Sequence, residues 1–299
     1  MFYLTICFKK MFCAPLFWVS IAAIAVICMF SPLYDNPQTG VSENILYVYL
    51  HYSKEALLQD VQLSAHAAFV KGLGGWLSLF IPVLTSLTAV NIRLDEYNSN
   101  MWRFVKLRTG KRNYNISSCI FYYLSGGITA SAGYLLFGIC VCAMFPGLSL
   151  YQAEDTAFYL ETIFRNGSFM ERIYECGGLP LAIGMQFIQI FLYGASCTMA
   201  SLFLTSFVEN KYIIICTPFF LKYTLNRLSA NLISAAYDDW EHPDEMLGRL
   251  ADIINPETIA TVLYYNGNVQ AVLILHVFVT GLSFLCFCMI CNRRDQYVT

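Results

Sequence analysis

Charge is what this sequence has least of. Only 13% of its 299 residues are Asp, Glu, Lys or Arg, against about 25% in ordinary soluble domains. None falls between Gly72 and Ile92 or between Ile116 and Phe145. With 57% hydrophobic residues and a mean hydropathy of +0.54, such runs exclude a soluble domain and indicate a membrane protein. The net charge of -2 gives no electrostatic footprint for nucleic acid. A phosphate loop is missing: the Gly110-Lys111 pair is followed by Arg112 and has no glycine at the matching upstream position. The chain therefore holds no ATP site of its own. H-E-x-x-H is missing too, and His51, His66, His242 and His276 are scattered, so no local motif supports an intramembrane enzyme. "DDWEHPDEMLGRLADIINPETI" lacks the alternating Asp/Asn and glycine of a calcium loop and reads as a solvated helix near the membrane surface. No internal repeat or low-complexity stretch is visible.

Twelve cysteines are present, but they form no metal or disulfide pattern. Cys140 and Cys142 diverge by about 200° on a helix. Cys288 and Cys291 share a face, with no His or carboxylate nearby in sequence. Most cysteines sit in apolar runs and act as small hydrophobes. Cys176 alone falls in a clearly polar loop.

Six apolar segments are expected to span: 11–33, 72–92, 116–145, 179–208, 212–228 and 269–291. The first follows Lys9 and Lys10 but is too long for a signal-peptide core and ends without an A-x-A site, so it is read as retained. The third carries "SGGITASAG", small residues that permit close helix approach. With the N-terminus inside, eleven of the eighteen Lys and Arg lie on the inner side and six on the outer, with Lys222 inside the fifth span. Both termini are thus cytoplasmic. Regions 34–71, 147–178 and 229–268 face outward. The expected fold is all-α, one six-helix membrane domain over residues 1–299 with helical outer segments.

The densest charge lies in "RLDEYNSNMWRFVKLRTGKRNY", Arg93 to Tyr114, which holds six of the eighteen basic residues. Leu94, Tyr97, Met101, Phe104 and Val105 fall on one helical stripe. Asp95 and Glu96 come early and Lys106 and Arg108 late, as the helix dipole favours, and Gly110 stands where a helix stop is expected. The residues allow three uses: a stiff loop, a helix on anionic lipid head groups, or a docking element presenting Trp102, Phe104 and the arginines to another protein.

Glu96, followed by an aromatic-basic stretch and "RTGKRNY" opening the third span, resembles the permease subunits of type-2 ABC transporters, which carry a segment of the form E…R-T/S-x-R…Y there. The start "FKKMFCAPLFWVSIAAIAV", a basic amphipathic lead, a small break and then a span, is similar as well. The resemblance implies a bacterial cell-membrane protein whose residues 93–115 include the coupling helix seated on a separate ATPase subunit. Asp95, Glu96, Trp102, Arg103, Arg108, Lys111, Arg112 and Tyr114 would carry the coupling. It also implies that Met1–Cys13 lies along the inner leaflet, that ATP and Mg are held by the partner ATPase, and that a second copy or a sister permease completes the pathway. This sequence departs from the pattern at Gly110, which interrupts a continuous helix.

Cargo is expected to be an exported amphipathic peptide or lipid-like compound, because the spans hold no cluster of charges to chelate an ion or clamp a polar solute. Gln186 and Gln189 share a helical face. They either line a dimer seam in the pathway or hydrogen-bond between helices of one subunit. Two other functions fit the same layout: a non-transporting sensor or immunity subunit, and an ion-coupled secondary transporter.

Overall fold

The computed structural model describes residues 2–36, 40–73, 76–164, 169–208, 210–238, 244–255 and 269–296. Helix α1 (Phe2–Cys13) meets α2 (Pro15–Met29) at a bend of 62°. Proline causes the bend. Its ring disfavours helical backbone at the preceding residue, and Ala14 is extended (φ -76°, ψ 126°) while Pro15 opens α2 without needing a hydrogen bond from its nitrogen. The apolar run 11–33 is therefore not one helix. Met11–Cys13 belong to α1, and α2 stops at Met29.

A small antiparallel ribbon follows, β1 (Pro32–Asp35) paired with β2 (Ser42–Asn44), with Pro32 opposite Asn44. It is an addition to the all-α expectation. Short helices α3 (Ile45–His51), α4 (Lys54–Leu57) and α5 (Ala65–Lys71) are capped by Asn44, Ser53 and Ser64, whose side-chain oxygens accept backbone N–H bonds.

Helix α6 (Trp76–Asn98) contains Pro82 and leads to α7 (Met101–Thr109) and the 34-residue α8 (Lys111–Met144). After a 3-10 turn at Leu148–Leu150 come α9 (Ala153–Phe164) and α10 (Phe169–Leu204). Helix α10 is kinked at Gly178 (φ 66°, ψ -163°), two residues before Pro180. The kink falls where the fourth span is expected to begin, but Cys176 lies in helix, not in a polar loop. Helix α11 (Lys211–Ala236) runs eight residues past the expected span and packs against α12 (Glu245–Ile254), where Ser229 Oγ donates to Ala251 O at 2.9 Å. Asp244 caps α12. The rest of the third outer region lies outside the described residues. The last helix, α13 (Val269–Gln296), contains the expected sixth span.

Helix α8 is the centre of the packing, with α10 as its main neighbour. Their backbones approach at the small residues noted in the sequence: a Cβ on Gly126 would lie 2.6 Å from Gly194 O, and one on Gly194 would lie 2.7 Å from Gly126 O. Tyr134 of α8 is fully buried between elements. Its hydroxyl bonds Phe69 O of α5 and accepts from Gln186 Nε2 of α10 at 2.8 Å.

Among the described residues two large buried clusters lie toward opposite ends of the helices, and a small third joins α9 to the start of α10. One of the large pair joins α1, the start of α2, the C-terminal half of α6, the start of α8, the end of α10, the start of α11 and the end of α13. The other joins the end of α2, the ribbon region, α3, α5, the start of α6, the C-terminal half of α8, α9 and the middle of α10. The stretch Lys111–Leu150 and α10 are long and apolar enough to cross a bilayer, and α1–α2 qualifies as a bent pair. These helices are compatible with a membrane location.

Candidate functional site: the basic face of α7

Helix α7 is isolated by a backbone break at each end. Asn100 stands in the left-handed region (φ 55°, ψ 10°), which asparagine tolerates better than most residues. Gly110 (φ 81°, ψ 146°) ends the helix, its N–H closing on Lys106 O at 2.9 Å. The stop expected at Gly110 is present, and α8 starts at the next residue.

The break at Asn100 resets the helical phase. A single stripe through Leu94, Tyr97, Met101, Phe104 and Val105 would need one continuous helix. Instead Leu94 is buried and Tyr97 half-buried on α6, while Phe104 is 67% exposed on α7 and Met101 is exposed. The inner face of α7 is formed by Trp102, Val105, Lys106 and Thr109, all half-buried. Trp102 stacks on Tyr97 with ring centroids 5.9 Å apart and planes 10° apart. Lys106 Nζ lies 4.7 Å from the Trp102 ring centroid and 5.5 Å from that of Tyr114. Arg103 Cζ lies 5.4 Å from the Trp102 centroid. The Trp102–Tyr97 stack holds α7 against α6 and the Lys106–Tyr114 cation–π contact holds it against α8, with its apolar residues turned outward.

The outer face carries Met101, Phe104 and Leu107, the last 84% exposed. Arg103, Arg108, Lys111 and Arg112 are exposed around them. Residues 99–113 contain no acid, and among the described residues no ion pair engages Arg103, Arg108 or Arg112. The face is thus an apolar knob in a ring of positive charge.

The other expected coupling residues are placed differently. Asp95 is exposed on α6. Glu96 is 3% exposed, so it does not sit on a partner surface. It accepts from Tyr3 Oη at 2.7 Å and from Lys10 Nζ at 3.0 Å, pinning α1 to α6. Tyr114 is fully buried: it accepts from Arg93 Nη1, and its ring lies 4.9 Å from that of Tyr3. Both were expected on an exposed loop. Both are instead internal ties, because α1 folds over the end of α6. Gln186 and Gln189 are buried, and Gln186 bonds Tyr134 within the chain.

The sequence reading missed Tyr3, Lys10 and the structural part of Arg93, whose guanidinium lies 5.0 Å from the Tyr114 ring and 5.8 Å from the Phe287 ring of α13. A signal existed: Tyr3, Cys7 and Lys10 share one face of α1. No family model matches the chain, and neither a curated protein nor a solved structure matches it.

Proposed function

We propose that this chain is the membrane subunit of an ATP-driven transporter of the type-2 ABC permease kind, and that α7 docks on a separate cytoplasmic ATPase. One observation carries the reading: the exposed Phe104–Leu107 knob of α7, flanked by four basic side chains and fixed from behind by the Trp102–Tyr97 and Lys106–Tyr114 contacts. An amphipathic face of this type suits a groove with an acidic rim on a partner protein. ATP and its Mg2+ belong to that partner. The expected assembly pairs this chain with a second copy or a sister permease, in a bacterial cell membrane.

The reading assigns spans to α2 with the end of α1, α6, α8, α10 from Leu179, α11 and α13. The opposite ends of α2, α6 and α8 fall in different clusters, which supports it, because helices that cross one layer in turn bring their ends together on two sides. At about 1.5 Å per residue, α6 reaches about 35 Å, enough for a hydrocarbon core of about 30 Å. Maleimide labelling in a cysteine-free background tests the orientation. Arg108→Cys should react only from the cytoplasm and Asp60→Cys only from outside; the opposite pattern rejects the topology.

Arg108→Glu with Arg112→Glu tests the docking. Exposed charges contribute only about 0–1 kcal/mol to folding, whereas interface anchors cost about 2 kcal/mol or more. The variant should insert and purify normally yet lose most of the ATPase recovered from the native host. Normal recovery would leave α7 as a lipid or topology anchor.

A second reading has one observation in its favour. Lys222, in the middle of α11, is 5% exposed and bonds the Tyr193 hydroxyl of α10. A charge at that depth suits an ion-coupled secondary transporter. Transport that follows an ion gradient and persists without ATP would select that reading. Cargo under either reading is proposed as an amphipathic compound.

A further inference from the structure

At the end of the molecule opposite α7, a cavity of about 920 Å³ opens between the β1–β2 ribbon, the segment 59–73 and α9. That volume is within the range of small-molecule sites. Its walls join the ribbon and the nearby segment 59–73 to α9, much later in the sequence, so the cavity belongs to the fold and not to one loop. Phe158, Tyr159 and Ile163 of α9 form an apolar wall facing Leu33 and Val61. Phe158 is 72% exposed, an aromatic left open to a visitor. Three carboxylates also line the space, Asp35 from the ribbon, Asp60 before the 3-10 turn Val61–Leu63, and Asp155 from α9. No ion pair among the described residues neutralises any of the three. Lys71 is the basic residue of the lining, and its ammonium donates to Leu33 O at 2.5 Å. Beneath the wall, His66 Nδ1 lies 3.1 Å from Tyr159 Oη, and burial pushes the imidazole down to about 4, so it adds no charge near neutrality. The space therefore combines an apolar wall with an excess of negative charge.

We infer that this cavity binds an amphipathic amine, its alkyl or aromatic body on the α9 wall and its ammonium among Asp35, Asp60 and Asp155. An anion is repelled, and a neutral amphiphile gains nothing from the carboxylates, two of which, Asp35 and Asp155, are exposed. The site is independent of the transport reading, because it involves neither α7 nor nucleotide.

Photo-crosslinking of the full chain in dodecyl maltoside micelles tests it, with a diazirine-bearing dodecylamine as the probe and adducts mapped by mass spectrometry. Adducts should concentrate on 59–73 and 155–163. Dodecylamine should compete, whereas dodecanol and dodecyl sulfate should not. Asp60→Asn with Asp155→Asn should cut labelling about tenfold, while an unchanged elution volume and melting temperature report an intact fold. Adding phosphatidylethanolamine separates two sources of the same chemistry: competition assigns the site to an aminolipid head group, and none assigns it to a free amine. Equal competition by dodecanol, adducts scattered over the helices, or full labelling of the folded double variant would overturn the inference.

Discussion

Gly194→Leu is expected to prevent the chain from folding. A Cβ at this position would lie 2.5 Å from Ala130 Cβ and 2.7 Å from Gly126 O. One of these obstacles is backbone, so no side-chain rotation relieves it, and α8 must part from α10. That pair is the most extensive helix contact among the described residues. Overpacking commonly costs about 1–3 kcal/mol even where side chains give way, and a backbone clash belongs at or above the upper end. The variant should lose its monodisperse elution peak. Gly184→Leu on the same helix is the control, because a Cβ there meets nothing within 4 Å. Equal behaviour of the two variants would mean that α8 and α10 do not pack through this seam.

The second large effect is expected from Glu96→Ala. It removes the acceptor of the buried Tyr3 hydroxyl and the partner of Lys10. A hydrogen bond to a charged group contributes about 1.5–3 kcal/mol. The Lys10 ammonium adds little, because its side chain is 40% exposed and screened by water. A net loss of about 2 kcal/mol should fall on the attachment of α1, not on the whole fold. Cys7 reports it directly, since it lies beneath the same contact and is buried in the intact protein. Its alkylation by N-ethylmaleimide, followed by mass spectrometry, should speed up by about thirtyfold if labelling requires α1 to lift. Unchanged protection of Cys7 would show that the apolar contacts of Tyr3 and Met11 hold α1 without the carboxylate.

These two cases mark what was legible in the sequence. The close approach of α8 and α10 was legible because "SGGITASAG" concentrates residues whose only common property is small size. The helical segments were legible because uncharged runs of this length have few other uses. Glu96 was not, since its burial depends on Tyr3 and Lys10, about ninety residues away in sequence, and its neighbours in the chain are polar. The phase of α7 was misread for a local reason: periodicity assumes an unbroken helix, and Asn100 in the left-handed region turns Phe104 from the inside to the outside. The ribbon β1–β2 has too few residues to show alternation, and it pairs partly through Pro32 and Asn44, neither a strand former. The cavity beside it joins segments that no local pattern connects.

Placing α7 one residue from α8 has a spatial consequence. Helix α8 is 34 residues long, about 50 Å of nearly incompressible rod. At its near end the backbone passes from α7 through Gly110, beside the Lys106–Tyr114 contact, and just past its far end Pro146 O accepts from Ala65 N, at the head of α5. One uninterrupted helix therefore separates the basic helix α7 from the segment that walls the acidic cavity, so the two surfaces stand about a bilayer's thickness or more apart along α8.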